Sequence, residues 1–256
     1  TSVRRAVQAA SSPSSEQSNP DAPTAVLVEA LQNDRIRQVY QPIVDRRSKS
    51  IVALEAMERY THPVLGSLPV HFMRSESQRL GMRTQLAVQV LEHAVADMQR
   101  FRQVAPELTQ VQVNVTPDQL VDAAFTERFE ELRTANPELR IVLELDGYSL
   151  GTESAEIQEK ASEYAIAKNV LIALDDGGSE YSELSAMIEY PVFELKTGEP
   201  ILAALLSPEK AQKTWLFLES IMNAGVTVIA DRVSSPEQAR LLEEHDLQFA
   251  QGPLYG

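Results

Sequence analysis

The chain has 256 residues, 43% of them hydrophobic, and a formal net charge of −14. That length supports one sizeable core, and no run of about 18 apolar residues is present to cross a membrane as a helix. So acidic a chain repels nucleic-acid backbone, which argues against duplex DNA or RNA as a partner, and the absence of Cys excludes disulfides and thiolate metal sites.

Residues 1–23 differ in character from the rest. Ser11 to Ser15 read Ser-Ser-Pro-Ser-Ser, and Asn19-Pro20 and Ala22-Pro23 follow. So polar a stretch has little to bury and reads as a linker or disordered arm. The first residue is Thr1 rather than Met, so a fragment of a longer protein or a processed chain is expected, and the linker suggests an upstream signalling domain, with residues 24–256 forming the folded domain. Arg4 and Arg5 are too few to make a nucleic-acid tail.

A short amphipathic helix is predicted over 24–32. After it, strand-like and helix-like stretches alternate, the pattern of α/β architecture. Eight apolar runs end on or just before a polar residue: 39–41, ending on Gln41; 51–54, then Glu55; 111–113, then Asn114; and 141–143, then Glu144. The other four are 170–174, then Asp175 and Asp176; 192–195, then Lys196; 226–230, then Asp231; and 249–250, then Gln251. A barrel of parallel strands brings all its strand C-termini to one mouth, so residues far apart in sequence meet there.

Helix starts are marked at Thr116-Pro117-Asp118-Gln119 and Ser235-Pro236-Glu237-Gln238. Each has a hydroxyl cap, Pro at the first helical position and Gln at the third. Leu86, Val90, Ala94, Met98 and Phe101 recur at helical spacing, which predicts a helix over 82–101. Further helices are predicted over 153–168, 182–190, 208–224 and 236–245. The stretch 61–81, with Pro63, Gly66, Pro69 and Gly81, is expected to be a long irregular loop over the mouth. No internal repeat is visible, Gly177-Gly178 matches no phosphate-cradling loop, and there is no Gly-x-Ser-x-Gly elbow. His62, His71, His93 and His245 lack zinc-ligand spacing.

Glu55, Asn114, Glu144 and Asp175 supply oxygen donors that suit Mg²⁺, Mn²⁺ or Ca²⁺, and Asp176 adds a second carboxylate. Asp175 bridging two ions about 4 Å apart would be the two-metal arrangement of phosphoester hydrolysis. Lys196 would orient water or hold a phosphate oxygen, and Asp231 would take a proton from that water. Each residue alone also has a bland reading. An acid at a strand end caps a helix or faces solvent, Asn114 satisfies turn backbone, and Lys196 lies on the surface. Recurrence at one structural position favours the site. If these acids converge, protonation or bound divalent cations must relieve their repulsion.

With these residues in hand, the chain from Gln38 to Gly256 resembles the EAL domain of cyclic di-GMP phosphodiesterases. Tyr40-Gln41-Pro42-Ile43-Val44 is similar to the family's opening strand. The segment from Leu54 to Pro63 resembles the naming motif, with Met57 in place of Leu. Val113-Asn114-Val115-Thr116, Leu143-Glu144-Leu145, Leu174-Asp175-Asp176-Gly177-Gly178 with Tyr181-Ser182, Leu195-Lys196, Ala230-Asp231 and Gln251-Gly252 complete the series. The resemblance implies a modified TIM-type (β/α)8 barrel whose first strand runs antiparallel. It implies hydrolysis of cyclic di-GMP to linear pGpG with two Mg²⁺ or Mn²⁺ ions. Glu55, Asn114, Glu144, Asp175 and Asp176 would be metal ligands, Lys196 and Asp231 catalytic residues, and Gln41, Arg59 and Gln251 substrate contacts. A homodimer in the cytoplasm is expected, either free or as the cytoplasmic part of a larger membrane-linked protein.

The chain also departs from the family pattern. Asp231 stands where the family has a Glu base. Arg232 and Ser234 replace a Gly and a second Glu, and Gly147 replaces an acid. Gly177 and Glu180 replace a Phe and a Gly of the double-Asp loop. Glu58 replaces a Leu, and Met73-Arg74-Ser75-Glu76 replaces an apolar segment that would pack a guanine. Three readings therefore stay open: a phosphodiesterase, a catalytically silent cyclic di-GMP receptor, and a protein-interaction and dimerisation module.

Overall fold

In the computed structural model, which describes residues 21–62, 66–177 and 189–256, eight strands close into a barrel wrapped by helices. Helix α1 (Asp21–Gln32) precedes a hairpin of two long strands, β1 (Ile36–Asp45) and β2 (Ser50–His62). Only residues 46–49 join them, and a link so short permits nothing but antiparallel pairing. The Asp45 side chain fixes that turn by accepting from the Arg47 backbone N–H at 2.8 Å, and Lys49 takes the left-handed conformation with φ 59°.

The later barrel strands are β4 (Gln110–Val115), β5 (Arg140–Asp146), β6 (Leu171–Gly177), β7 (Val192–Thr197), β8 (Thr227–Ala230) and β9 (Phe249–Gln251). Each pairs in parallel with the next, β2 with β4 included. The connections between them are long enough for crossovers, most of them helical. β9 then pairs antiparallel with β1 and closes the ring. The first strand is thus the one reversed member, as the resemblance implied. A short strand, β3 (Gly66–Leu68), extends only the upper end of β2.

Side chains alternate across this sheet. Along β4, Val111, Val113 and Val115 are buried and pack outward in one core cluster with Leu86, Val90, Leu91, Ala94, Val95 and Met98 of α3 (Arg83–Phe101). Each fully buried Val or Leu contributes roughly 1.5–3 kcal/mol of transfer free energy. The other face of the sheet looks into the barrel, where Ile43, Ala53 and Ile229 form a small separate apolar cluster and Gln110, Gln112 and Asn114 project from β4.

The eight predicted strands fall on the barrel strands, but several helices differ. Residues 61–81 are not irregular: the end of β2, β3 and α2 (Val70–Arg79) occupy most of the stretch. Buried Phe72 and Met73 give α2 its inner face. At Thr116-Pro117 the chain makes only a 3-10 turn (Gln119–Val121). The helix α4 (Ala123–Ala135) starts later, at Asp122, whose side chain accepts from the Ala124 and Phe125 backbone N–H groups. The reason is local. The Thr116 hydroxyl is engaged by the Asp118 side chain instead of capping the turn. The Ser235 box forms as predicted, at the start of α9 (Pro236–Glu244). Helices α6 (Ala155–Ala167) and α8 (Ala211–Asn223) fall where sequence placed them, while α5 (Gly147–Thr152) and α7 (Glu199–Leu205) are additions. The expected arm 1–23, apart from the first turn of α1, and most of the expected helix 182–190 lie outside the described residues.

Candidate functional site

The inward positions of neighbouring strands form a polar cluster at the mouth. Strand register sets Gln41 opposite Glu55, Asn114 beside Glu144, and Asp146 beside Asp175. Lys196, on the penultimate residue of β7, is wholly buried. Its Nζ donates to Glu55 Oε2 at 2.7 Å and to Glu144 Oε2 at 2.6 Å. Glu55 is the hub. Its Oε2 also accepts from Gln251 Nε2 at 2.5 Å, and its Oε1 accepts from Asn114 Nδ2 at 3.3 Å. Gln251 donates as well to Gln41 Oε1, at 3.0 Å. Six predicted residues from six strands therefore meet. Glu55 and Gln41 lie midway along the two long strands rather than at strand ends, because that hairpin continues past the barrel rim.

Burial decides the electrostatics. It pushes the Lys196 ammonium toward neutrality, but the charges of Glu144, Glu55 and Asp175 outweigh burial and hold it firmly protonated. Burial raises Glu55 too, yet the Lys196 charge and three donated hydrogen bonds bring its carboxyl below the ordinary range. Glu144 is fully enclosed. Burial and then the neighbouring Glu55 charge push it well above the ordinary range, and Lys196 only partly offsets them. One ammonium cannot balance two buried carboxylates with Asp175 nearby.

Asp231 follows β8 and is largely buried, its Oδ2 3.8 Å from Arg232 Nε. Burial raises its carboxyl, with partial compensation from Lys196. Its loop is clamped to the end of β9: the Val233 N–H donates to the Gln251 carbonyl at 3.0 Å, and the Leu254 N–H to that of Val233 at 3.0 Å. This close approach requires Gly252. Its φ is +137°, and a Cβ there would lie 2.3 Å from the Val233 nitrogen. Arg232 itself is left-handed, with φ 59°, a conformation that disfavours a side chain.

Arg59 is not drawn into the cluster. Among the described residues it hydrogen-bonds the Glu58 carbonyl at 2.9 Å and approaches Met57 Sδ. The Asp176 side chain and the Gly178, Glu180, Tyr181 and Ser182 positions of the double-Asp loop lie outside the described residues.

Two sets of contacts escaped the sequence reading. Beneath Lys196 on the same face of β7, buried Glu194 accepts from Gln110 Nε2 at 2.8 Å and from Gln112 Nε2. A charged residue inside the apolar run 192–195, two positions before Lys196, was the available signal. Above the cluster, Arg74 of α2 pairs with Glu58 at 2.7 Å. A cleft of about 890 Å³ opens there, lined by Glu58, Arg74, Asn114, Asp146, Asp175 and Arg232 among others.

Does the cluster suit a divalent cation? Its donors are hard oxygens. Glu144 Oε1 and Gln251 Oε1 are buried and accept no hydrogen bond among the described residues, so acceptor capacity is left over. Yet no three acidic or imidazole side chains among the described residues stand together as a ready cage. Lys196 occupies the space between Glu55 and Glu144. The donor set fits a metal once that ammonium moves aside. No helix among the described residues is long and apolar enough to cross a membrane.

The family model described as EAL domain matches residues 25–256. The probable cyclic di-GMP phosphodiesterase PdeN of Escherichia coli is 26% identical over 90% of this chain and 45% of its own length. The cyclic di-GMP phosphodiesterase NbdA of Pseudomonas aeruginosa is 25% identical over 90% of this chain and 30% of its own. The chain thus spans less than half of either protein. The Xanthomonas citri FimX EAL domain in complex with c-diGMP superposes with a TM-score of 0.78 at 16% identity, covering 91% of this chain and 92% of that one.

Proposed function

From the premise that this chain belongs to the EAL domain family, we propose that its mouth binds cyclic di-GMP and hydrolyses one phosphodiester to give linear pGpG. The observation that carries this reading is the convergence of Glu55, Asn114 and Glu144 on Lys196, with Asp175 and Asp231 close enough for their charges to act on it. Glu55, Asn114, Glu144, Asp175 and Asp176 would hold Mg²⁺ or Mn²⁺. When bound, such cations neutralise charge on phosphoryl oxygens and acidify water.

The chain's own groups do the rest. Asp231 accepts the proton of the attacking water as its oxygen joins phosphorus. The opposite P–O ester bond breaks, and the departing oxygen takes up a proton from solvent water. Burial lifts Asp231, which brings a short carboxylate nearer the range where a general base works. Lys196, released from one carboxylate, keeps a positive charge beside the phosphate. Gln41 and Gln251 orient Glu55, and Arg59 offers its planar fork to a phosphate. Turnover is slow, because Asp231 is one methylene short of Glu and a displacement of about 1 Å can cost on the order of 100-fold.

A receptor without turnover is the second reading. The Arg232 guanidinium beside Asp231 and the altered Met73-Arg74-Ser75-Glu76 segment favour it. Incubation with cyclic di-GMP and Mn²⁺, followed by chromatography, separates the two. The proposal expects pGpG, and no product from micromolar protein overnight overturns it.

A further inference from the structure

Arg74 and Glu58 form a pair that the hydrolytic cluster does not use. Glu58 projects from the face of β2 opposite to Glu55, under α2, and its side chain is 6% exposed, against 44% for Arg74. Arg74 Nε donates to Glu58 Oε1 at 2.7 Å and Nη2 to Oε2 at 3.5 Å. The carboxylate thus takes one edge of the guanidinium fork. A guanidinium carries its donors in a single plane. The second edge, Nη1 with the remaining hydrogen of Nη2, has no partner among the described residues and belongs to a side chain that lines the cleft.

Resting on the cyclic di-GMP reading of the mouth, we infer that Arg74, held flat by Glu58, reads the O6 and N7 edge of one guanine of the ligand. Three points favour a base edge over a phosphate. Glu58 already neutralises Arg74, so an approaching phosphate would meet a buried carboxylate of its own sign. Asp146 and Glu144 add negative field at the same guanidinium. Guanine offers two neutral acceptors spaced for a bidentate fork, whereas adenine places an amino donor at the matching position and is rejected. Arg74 is thus a specificity-determining residue.

The test is calorimetric titration of the whole chain with cyclic di-GMP and with cyclic di-AMP, Ca²⁺ replacing Mn²⁺. Wild type is compared with R74L, R74K and E58L/R74L. R74L leaves Glu58 buried and unpaired; the double variant replaces the pair with apolar groups and protects the fold. Wild type is expected to prefer the guanine ligand. R74L and the double variant should each reduce that preference on the order of 10- to 100-fold. R74K should not restore it, because lysine lacks the fork. An unchanged preference in the double variant, no preference in wild type, or equal weakening of both ligands overturns the assignment. Wild type that binds neither ligand overturns the cyclic di-GMP reading itself, and this inference with it.

Discussion

Replacing Lys196 by Met should turn a cluster held together by an internal ammonium into a metal-dependent one. The ammonium is 0% exposed and sits 2.7 and 2.6 Å from two carboxylates. Removing one partner of a buried ion pair costs about 3–5 kcal/mol, because the charge left behind is uncompensated. At roughly 2–4 °C per kcal/mol for a domain of this size, that predicts a fall in Tm of about 6–20 °C in chelator. A cation entering between Glu55 and Glu144 would repair the variant. At a hundred times its Kd it adds about 2.7 kcal/mol. In wild type the same ion must first displace Lys196, so its stabilisation is smaller. Thermal denaturation of both proteins, with chelator and over a Mn²⁺ series, measures all four states. The role of Lys196 as counter-charge fails if chelated K196M melts within about 2 °C of wild type, well under the smallest predicted loss. It fails equally if Mn²⁺ shifts wild type as far as the variant.

Asp231→Glu should raise turnover of cyclic di-GMP by up to about 100-fold if base reach is the defect; unchanged kcat would move the fault to the segment around Gly177. Gly252→Ala should cost several kcal/mol, on the order of the largest single-site losses, because its Cβ would meet the Val233 backbone; a urea midpoint equal to wild type contradicts that packing. Glu194→Gln should flatten the pH dependence of stability. Burial raises the Glu194 carboxyl in the folded state, so the folded protein binds more protons than the unfolded chain. Its contribution is complete below the ordinary Glu range and is lost as pH rises through the raised value. A variant whose urea midpoint keeps the same slope above pH 4.5 disproves it.

Strand period and turn chemistry made most of the barrel legible. Most of the apolar runs had strand length, and the polar terminus fell on the inward face because side chains alternate. The reversed first strand was readable only through the family resemblance; its physical cause, the four-residue β1–β2 link, emerged with the structure. Three things were not legible. The α2 segment, polar on one side and broken by Pro69 and Gly81, gave no clean period, and only tertiary burial of Phe72 and Met73 makes it a helix. Thr116 carried a capping pattern but bonded Asp118 instead, a competition that sequence spacing does not resolve. In the site, position was readable and partnership was not. Lys196 was expected to meet a water or a phosphate, and in the structure it pairs with Glu55 and Glu144, a partnership that strand spacing does not reveal.

The reversed first strand also decides where the chain enters the barrel. Because β1 runs downward from the rim, Ile36 lies opposite Tyr60 at the upper end of the long hairpin, and α1 hangs beside the mouth rather than beneath the floor. Buried Val26, Leu27, Ala30 and Leu31 of α1 share a core with Phe72 and Met73 of α2. A twist or tug delivered through α1 would therefore reach Arg74 through packed side chains, within two helices of the cleft that Arg74 lines. Reverse one strand, and the domain's handle is welded to its jaw.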